Sequence, residues 1–500
     1  MCFTVNYIMG TGFLTLPWAF NSAGVLLSLL TLSFVCLISD VSKDYILETM
    51  CRADVLFRVR GKSEGRNIKS LSIHSAVDLV KLETGTNPSK YGSITHNPDP
   101  PTSETTGLLS SNDATSPLPL VRSRKFEVVE LCSIFLGEKG SSLYIFTLGL
   151  YMYGTLWAYT SVFANACSYA LPMEKVLGVD GLDDYIIYVF LFASIVVPLT
   201  CMELKEQVGV QVFLSLCRFV MVVIMVGSVS YAMNSESAQF DDQTGGHGAA
   251  LVNWKGLYKM LPIAVYANIF HHSIPGLSSP VKDKSKLSMI FGSTFAFGMV
   301  AYGLIGGVVA WYFGDSIDQS ANLNWVGYHA GTGVQTSDGN WIHKSFFTSL
   351  IAYFVVVFPA TDVVSAFPLN GITLGNSLMG IWFGPDIREY ENDPKTVKMF
   401  RLVAAIPSII GACFLRDLGF ITAYTGITGF AIAFTFPALL NIKSKRACNR
   451  AGVDPVTAYS RGFISSDGFS YVVAVFGGGL ILFVFVSLVY EQSINKAEME

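Results

Sequence analysis

Apolar stretches of about 20 residues recur along most of the chain, separated by short polar breaks. Each is long enough to cross a hydrocarbon core of roughly 30 Å as a helix rising about 1.5 Å per residue. Reading the runs between breaks predicts eleven spans, near residues 4–23, 24–50, 141–170, 185–202, 207–232, 257–279, 288–313, 344–370, 398–415, 418–441 and 468–490. The amphipathic helices and short alternating strands of a soluble chain of this length are absent. The expected fold class is an all-α polytopic membrane protein with about eleven transmembrane helices. One large polar stretch, 51–140, is rich in Ser, Thr, Asn, Pro and charge, and is expected to be a largely disordered cytoplasmic insert.

Composition agrees: 51% of the 500 residues are apolar and 14% charged, against roughly 25% charged in soluble domains. Mean hydropathy is +0.47. The net charge of −4 carries no message about nucleic acid. None of the nine cysteines forms a C-x-x-C pair or a Cys/His metal spacing, which disfavours a disulfide framework or a zinc site. The chain shows no cleavable signal peptide of the usual form. It begins almost directly inside an apolar segment, so an N-terminal tail is expected to be very short or missing.

Where the cations sit sets the orientation. Arg52, Arg58, Arg60, Lys62, Arg122, Arg124, Lys125 and Lys139 flank the second and third spans. On the same side fall Lys205, Lys282, Lys284, Lys286, Arg388, Lys395 and Lys398, then Lys443, Lys445, Arg446, Arg450 and Arg461. The loops 233–253 and 314–343 on the other side hold neither Lys nor Arg. The expected organisation is two spans in 1–50, the insert at 51–140, and three spans in 141–232. Five more follow in 257–441, then a cytoplasmic loop at 442–467 and a last span at 468–490. The N-terminus is expected in the cytoplasm, and the host membrane to be plasma or endolysosomal.

Two spans make poor helices. The first reads Asn6-Tyr-Ile-Met-Gly10-Thr11-Gly12-Phe13-Leu-Thr-Leu-Pro17; the sixth runs from Asn268 through His271, His272, Ser273, Pro275 and Gly276 to Pro280. Gly costs about 1 kcal/mol in a helix interior and Pro about 3. Backbone groups freed in lipid cost several more, so such stretches persist only beside protein, ions or a hydrated cavity. If spans 1–5 and 6–10 are inverted repeats, each break lies in the first helix of its repeat, the sequence pointer to a secondary transporter's binding site. A half-helix N-terminus then offers N–H groups to a substrate carboxylate.

These residues resemble a known family. Asn6 to Leu14 with Leu16-Pro17 is similar to the first-helix signature of the amino acid/auxin permease superfamily, and within it most to the group of transmembrane protein 104 and its relatives. Ser215-Leu-Cys-Arg218-Phe, His272-Ser273-Ile-Pro275 through Pro280-Val, and Phe367-Pro368 with Ile372-Thr-Leu extend the likeness. So does Thr425-Gly426-Ile-Thr-Gly429 through Pro437-Ala-Leu-Leu440. The resemblance covers nearly all of the membrane part, but not the insert. It implies a LeuT-type fold with a 5+5 inverted repeat plus one extra helix, and substrate between helices 1, 3, 6, 8 and 10. It also implies an ion site shared by Asn6 and a residue of the eighth span: Thr361, Asp362 or Ser365.

The candidate substrate residues are Gly10, Thr11 and Gly12 through their N–H groups, with Phe13 beside them, and Asn268, His272 and Ser273 toward the amino group or side chain. Tyr153 joins them from the third-span aromatics Tyr151, Tyr153, Trp157 and Tyr159, which either line the pocket or fill packing space. His272 matches a histidine of animal members of the superfamily. An acid inside an apolar span costs about 2.5–3.5 kcal/mol on insertion scales, so Asp362 is expected to face a cavity or a partner, as cation ligand or proton carrier. Arg218 is expected to snorkel to the membrane edge or to pair with an acid such as Glu203. Glu104 to Leu109 fits an acidic dileucine signal for a sorting adaptor.

No Walker A loop, nucleophile elbow or pair of catalytic carboxylates is present, which disfavours an enzyme or an ATP-driven pump. The expected function is secondary active transport, possible as symport, of a small neutral amino acid by alternating access. It needs no cofactor beyond Na+ or H+ as coupling ion. The rival reading is a non-transporting amino-acid sensor signalling through the insert.

Overall fold

The structure, a computed structural model, describes residues 10–63, 118–121, 126–179, 181, 183–202, 208–235, 240, 248–330, 332, 334–335, 341–342, 345–383, 390 and 393–499. Apart from one short antiparallel ladder, Val334 with Ile342 and Gln335 with Trp341, their regular structure is helical. In chain order the main helices are α1 (Gly12–Ala23), α2 (Val25–Ser63), α3 (Val128–Ala170), α4 (Asp184–Cys201), α5 (Val208–Asn234), α6 (Leu257–Asn268) and α7 (Ile274–Ser278). They continue with α8 (Leu287–Phe313), α9 (Phe346–Phe383), α10 (Pro394–Phe414), α11 (Leu418–Phe430), α12 (Phe436–Arg450) and α13 (Asp467–Met499). Helices satisfy their own backbone groups, which is what a bilayer demands.

Eight spans among the described residues are long and apolar enough to cross a membrane, with α11 and α12 counted as one. The other three expected crossings fall on α1, where residues 1–9 lie outside the described ones, on α3 and on the α6–α7 pair, so length and composition of the described helices support eight of the eleven. The α11–α12 unit is the central one: 83% of its apolar window is buried, against 28% for α13. It is continuous through a π-helical turn at Ala431–Thr435. Leu26, Leu30, Leu37 and, on α13, Val475, Leu482 and Val486 face outward as a lipid-contacting surface would.

Both edges of the 51–140 stretch are helical rather than disordered: α2 runs on to Ser63 and α3 starts at Val128. The apolar run 126–136 is too short to span, but it packs. Phe126, Leu131, Cys132 and Phe135 are buried, and the Phe126 ring lies 5.7 Å from that of Phe57. Gly137, at φ 75°, then turns the chain into the long part of α3, a conformation that needs no Cβ. The dileucine signal at Glu104 to Leu109 lies outside the described residues.

A line of charges follows the inner face of α2: Asp40, Lys43, Asp44, Glu48 and Arg52, mostly three or four residues apart and so on one side of the helix. Lys43 Nζ lies 2.9 Å from Asp40 and 3.0 Å from Asp44. Arg461, from the segment joining α12 to α13, reaches Asp40 and Asp44 at 2.7 Å each. Glu48 is paired with Arg52 and accepts from Ser465 Oγ at 2.5 Å. Arg52 also donates to Pro455 O at 2.8 Å and to Asn441 Oδ1 at 2.6 Å. Tyr45 OH donates to Ile464 O, and Tyr459 OH to Lys284 O. The 455–466 segment is thus strapped across α2 and the foot of α8 at the cation-rich end.

At the other end, the turn from α1 into α2 is clamped by the approach to α6. Val25 and Leu26 N–H donate to Ala250 and Leu251 O, and Asn253 N–H donates to Ala23 O. A Cβ on Gly256 would lie 1.9 Å from Ser22 O, so only glycine lets the two backbones come this close.

Candidate functional site

The start of α1 meets the interrupted sixth span. Helix α6 ends at Asn268, Ile269 and Phe270 leave helical geometry, and one 3-10 turn at His271–Ser273 leads into α7. Helix α1 starts at Gly12 with Thr11 as its N-cap residue, and the Thr11 side chain makes no cap hydrogen bond. A Cβ on Gly12 would lie 2.8 Å from Ala267 Cα. Thr11 Oγ1 and Tyr266 OH are 3.1 Å apart. The first N–H groups of α1 have no partner within their own helix, which is the general property of a helix start.

Two more helices close around this crossing. On α11, a Cβ at Gly426 would lie 2.2 Å from Pro262 O, so the glycine of the Thr425-Gly426 motif lets α11 lie against the α6 backbone. A Cβ at Gly154 on α3 would lie 2.1 Å from Thr425 Oγ1. Helix α3 supplies Tyr151, whose ring centroid is 6.0 Å from Tyr266 and 5.7 Å from His272. Asn268 Nδ2 donates to Ala264 O at 2.8 Å, and Tyr302 OH on α8 donates to Ala267 O at 3.1 Å. Of these two bonds, the one to Ala267 O takes up a carbonyl that the break frees.

The expected site residues divide. Gly10, Thr11, Gly12 and buried Phe13 stand at the α1 start, and half-buried His272 and Ser273 in the turn before α7. Asn268 is turned away, fully buried, accepting from Cys36 Sγ of α2 at 3.4 Å. Tyr153 points elsewhere, its hydroxyl donating to Val403 O of α10 at 2.9 Å. Trp157 and Tyr159 also leave the site, for Leu415 O and Asn370. The reason is rotation: at 100° per residue, Tyr151 and Tyr153 stand on nearly opposite sides of α3. His271, wholly buried, places Nε2 3.1 Å from Ser39 O, and since a carbonyl only accepts, that nitrogen carries the hydrogen. Asn6 lies outside the described residues.

On α9, Asp362 is held by Arg218 of α5 through two parallel bonds, Nη2 to Oδ1 at 2.7 Å and Nε to Oδ2 at 2.9 Å. Arg218 therefore pairs with an acid inside the bundle rather than snorkelling to an edge, and Glu203 lies outside the described residues. Thr361 is exposed and donates to Val357 O, while Ser365 Oγ donates to Asp362 O. An open cavity of about 690 Å³ at the cation-poor end, lined by Tyr169, Asp183 and Tyr185 among others, holds none of the expected residues. Asp183 pairs there with Arg416, whose hydrogen bonds hold the Asp183 carboxyl below the usual range.

Residues 122–451, more than half of the chain, match the sequence profile of the family described as transmembrane amino acid transporter protein. The chain belongs to this family. As a transmembrane amino acid transporter family member it is a multi-pass membrane transporter, not an enzyme. It is similar to transmembrane protein 104 of Pongo abelii, 23% identical over 478 residues that cover 89% of this chain and 87% of the relative. It is also similar to the transmembrane protein 104 homologs of Drosophila melanogaster (24% identical, 97% and 95% covered) and Caenorhabditis elegans (24% identical, 98% and 96% covered). A crystal structure of a manganese transporter mutant from Eremococcus coleocola aligns over 98% of this chain and 92% of its own, with 11% identity and a TM-score of 0.41.

In this family member the sequence leaves Tyr266 and Cys36 without a role and offers Arg218 an acid partner without pointing to Asp362. A hydroxyl one turn from a predicted break marked Tyr266. A cation at an apolar depth in one span and an acid at a similar depth in another marked the Arg218–Asp362 pair.

Proposed function

We propose that the chain carries a small neutral amino acid across its membrane by alternating access. The observation that supports this is the close approach of the start of α1, at Gly12, to the interrupted sixth span, at Ala267. In this reading the N–H groups of Gly10, Thr11 and Gly12 take the substrate carboxylate at the positive end of α1. Ser273 and His272 face the amino group. Thr11, Tyr151, Tyr266 and His272, which meet there, include no carboxylate, lysine or arginine, which favours a net-neutral ligand. The cation-rich end, with the 455–466 strap, faces the cytoplasm.

The test is uptake by protein reconstituted in liposomes across a broad amino-acid panel, with ligand-induced thermal shift in parallel. Accumulation of at least one small neutral amino acid, lost in Gly12→Leu while the variant stays folded, is the expected result. No uptake and no thermal shift across the whole panel would remove the proposal.

A further inference from the structure

The stretch from the helix break to the end of α7 is held at both ends by residues that the 455–466 strap in turn holds. At the far end, Lys284 Nζ donates to Ser278 O at 2.7 Å and to Ser279 O at 2.8 Å. It thereby caps carbonyls that a five-residue helix leaves open. The strap fixes Lys284, because Tyr459 OH donates to its backbone O at 2.7 Å. At the near end, His271 donates to Ser39 O of α2, next to Asp40. The strap fixes this point too: Arg461 reaches Asp40 and Asp44 at 2.7 Å each and donates to Ser288 Oγ at 3.0 Å.

A further partner of the strap comes from the 51–140 stretch. Ala458 N–H donates to Pro119 O at 3.1 Å. Val121, 4% exposed, brings its backbone within hydrogen-bonding reach of the Tyr459 hydroxyl, the same group that holds Lys284. Residues 118–121 form neither helix nor strand, so their departure breaks no regular backbone ladder. Contacts then run without a gap from Pro119 and Val121 to Tyr459, to Lys284 and to the end of α7.

We propose that the strap is a latch on α7 and that residues 118–121 set its grip. When they withdraw, Tyr459 loosens, the Lys284 cap follows, and the half-helix beyond the break opens locally. The 51–140 stretch thereby regulates the helix break without entering it. Only the consequence for cargo rests on the transport reading. The latch is a property of the chain alone and is tested without amino acid.

A run of contacts is not in itself coupling, so coupling is what has to be measured. The experiment is hydrogen exchange of the purified full chain, read by mass spectrometry on peptides covering 274–279 and, as reference, 158–166 of α3. The variants are Tyr459→Phe, Val121→Asp and Lys284→Met, with each of the first two also combined with Lys284→Met. Tyr459→Phe and Val121→Asp should each speed exchange at 274–279 about fivefold, the size of one net hydrogen bond, with 158–166 at the wild-type rate. Lys284→Met should speed it at least as much, and adding either other change to Lys284→Met should then alter nothing more. Wild-type rates at 274–279 in either Tyr459→Phe or Val121→Asp overturn the proposal. So does a rise shared equally by 158–166, which marks general destabilisation, and so does full additivity with Lys284→Met. If Val121→Asp does not accumulate as folded protein, Val121→Ser takes its place with the same two outcomes. Coupled exchange with a silent amino-acid panel leaves the latch standing and removes only the transport reading.

Discussion

Replacing Arg52 by methionine leaves the Glu48 carboxylate, wholly buried, without its ionic partner. It also removes the bonds from Arg52 to Pro455 O, Asn441 Oδ1 and Ser444 Oγ. Breaking one side of a buried pair costs about 3–5 kcal/mol, because the remaining charge is stranded in a medium that solvates it poorly. Replacing both residues, Arg52→Met with Glu48→Leu, removes the stranded charge. What remains is the loss of a partner for Ser465 and for Asn441, about 1–2 kcal/mol each. The double variant should therefore be no worse than Arg52→Met alone, and the coupling between the positions should be about 2–3 kcal/mol. The assay is a double-mutant cycle on detergent-solubilised protein by denaturant unfolding, or by rates of thermal inactivation, where 1.4 kcal/mol is about a factor of ten. If the two single losses simply add in the double, the strap does not depend on this pair and the reasoning fails.

Gly256→Ala places its Cβ 1.9 Å from Ser22 O and 2.2 Å from Ser22 C, both backbone atoms. It should cost about 3 kcal/mol, the upper end for overpacking, seen as a lower melting temperature, whereas Gly227→Ala, with open space around it, should not. Tyr151→Ala should abolish the ligand-induced thermal shift, while Tyr153→Phe, which deletes only the bond to Val403 O, should lower the melting temperature and leave that shift in place. The depressed Asp183 carboxyl contributes stability that is present above its unfolded value of about 3.9 and is lost as pH falls through the lower folded value. With both side chains over 40% exposed, the gain is small and salt-screened. Wild type and Asp183→Asn should therefore differ slightly in melting temperature at neutral pH, converge in acid, and converge in 1 M salt; a gap that persists in acid refutes the assignment.

The helices are legible in the sequence wherever a run is uniformly apolar, because burial in lipid leaves the composition no alternative. The sixth-span break is legible too, since Gly, Pro and polar residues have no business mid-span unless something answers their backbone groups. What hydropathy cannot show is pairing. Averaged over the second span, Asp40, Lys43, Asp44 and Glu48 vanish among leucines, and their answering residues, Arg461 and Ser465, lie at the far end of the chain. Arg218 and Asp362 are 144 positions apart. Tyr153 looked as good as Tyr151 because a list of aromatics has no rotation angle until the helix is set in place. The helical ends of 51–140 are not legible in hydropathy because a run as short as 126–136 cannot span, although it can pack.

The clamp between the α1–α2 turn and residues 250–256 has a mechanical meaning. Four backbone bonds and the Gly256–Ser22 approach join the α1–α2 turn to the approach of α6, and Gly12 lies against Ala267 at the start of α1. A lever pinned at two points cannot pivot separately from the piece it is pinned to. Any motion of α1 that keeps these contacts must carry α6 with it, and the non-helical Ile269 and Phe270 are the nearest joint between that pair and α7.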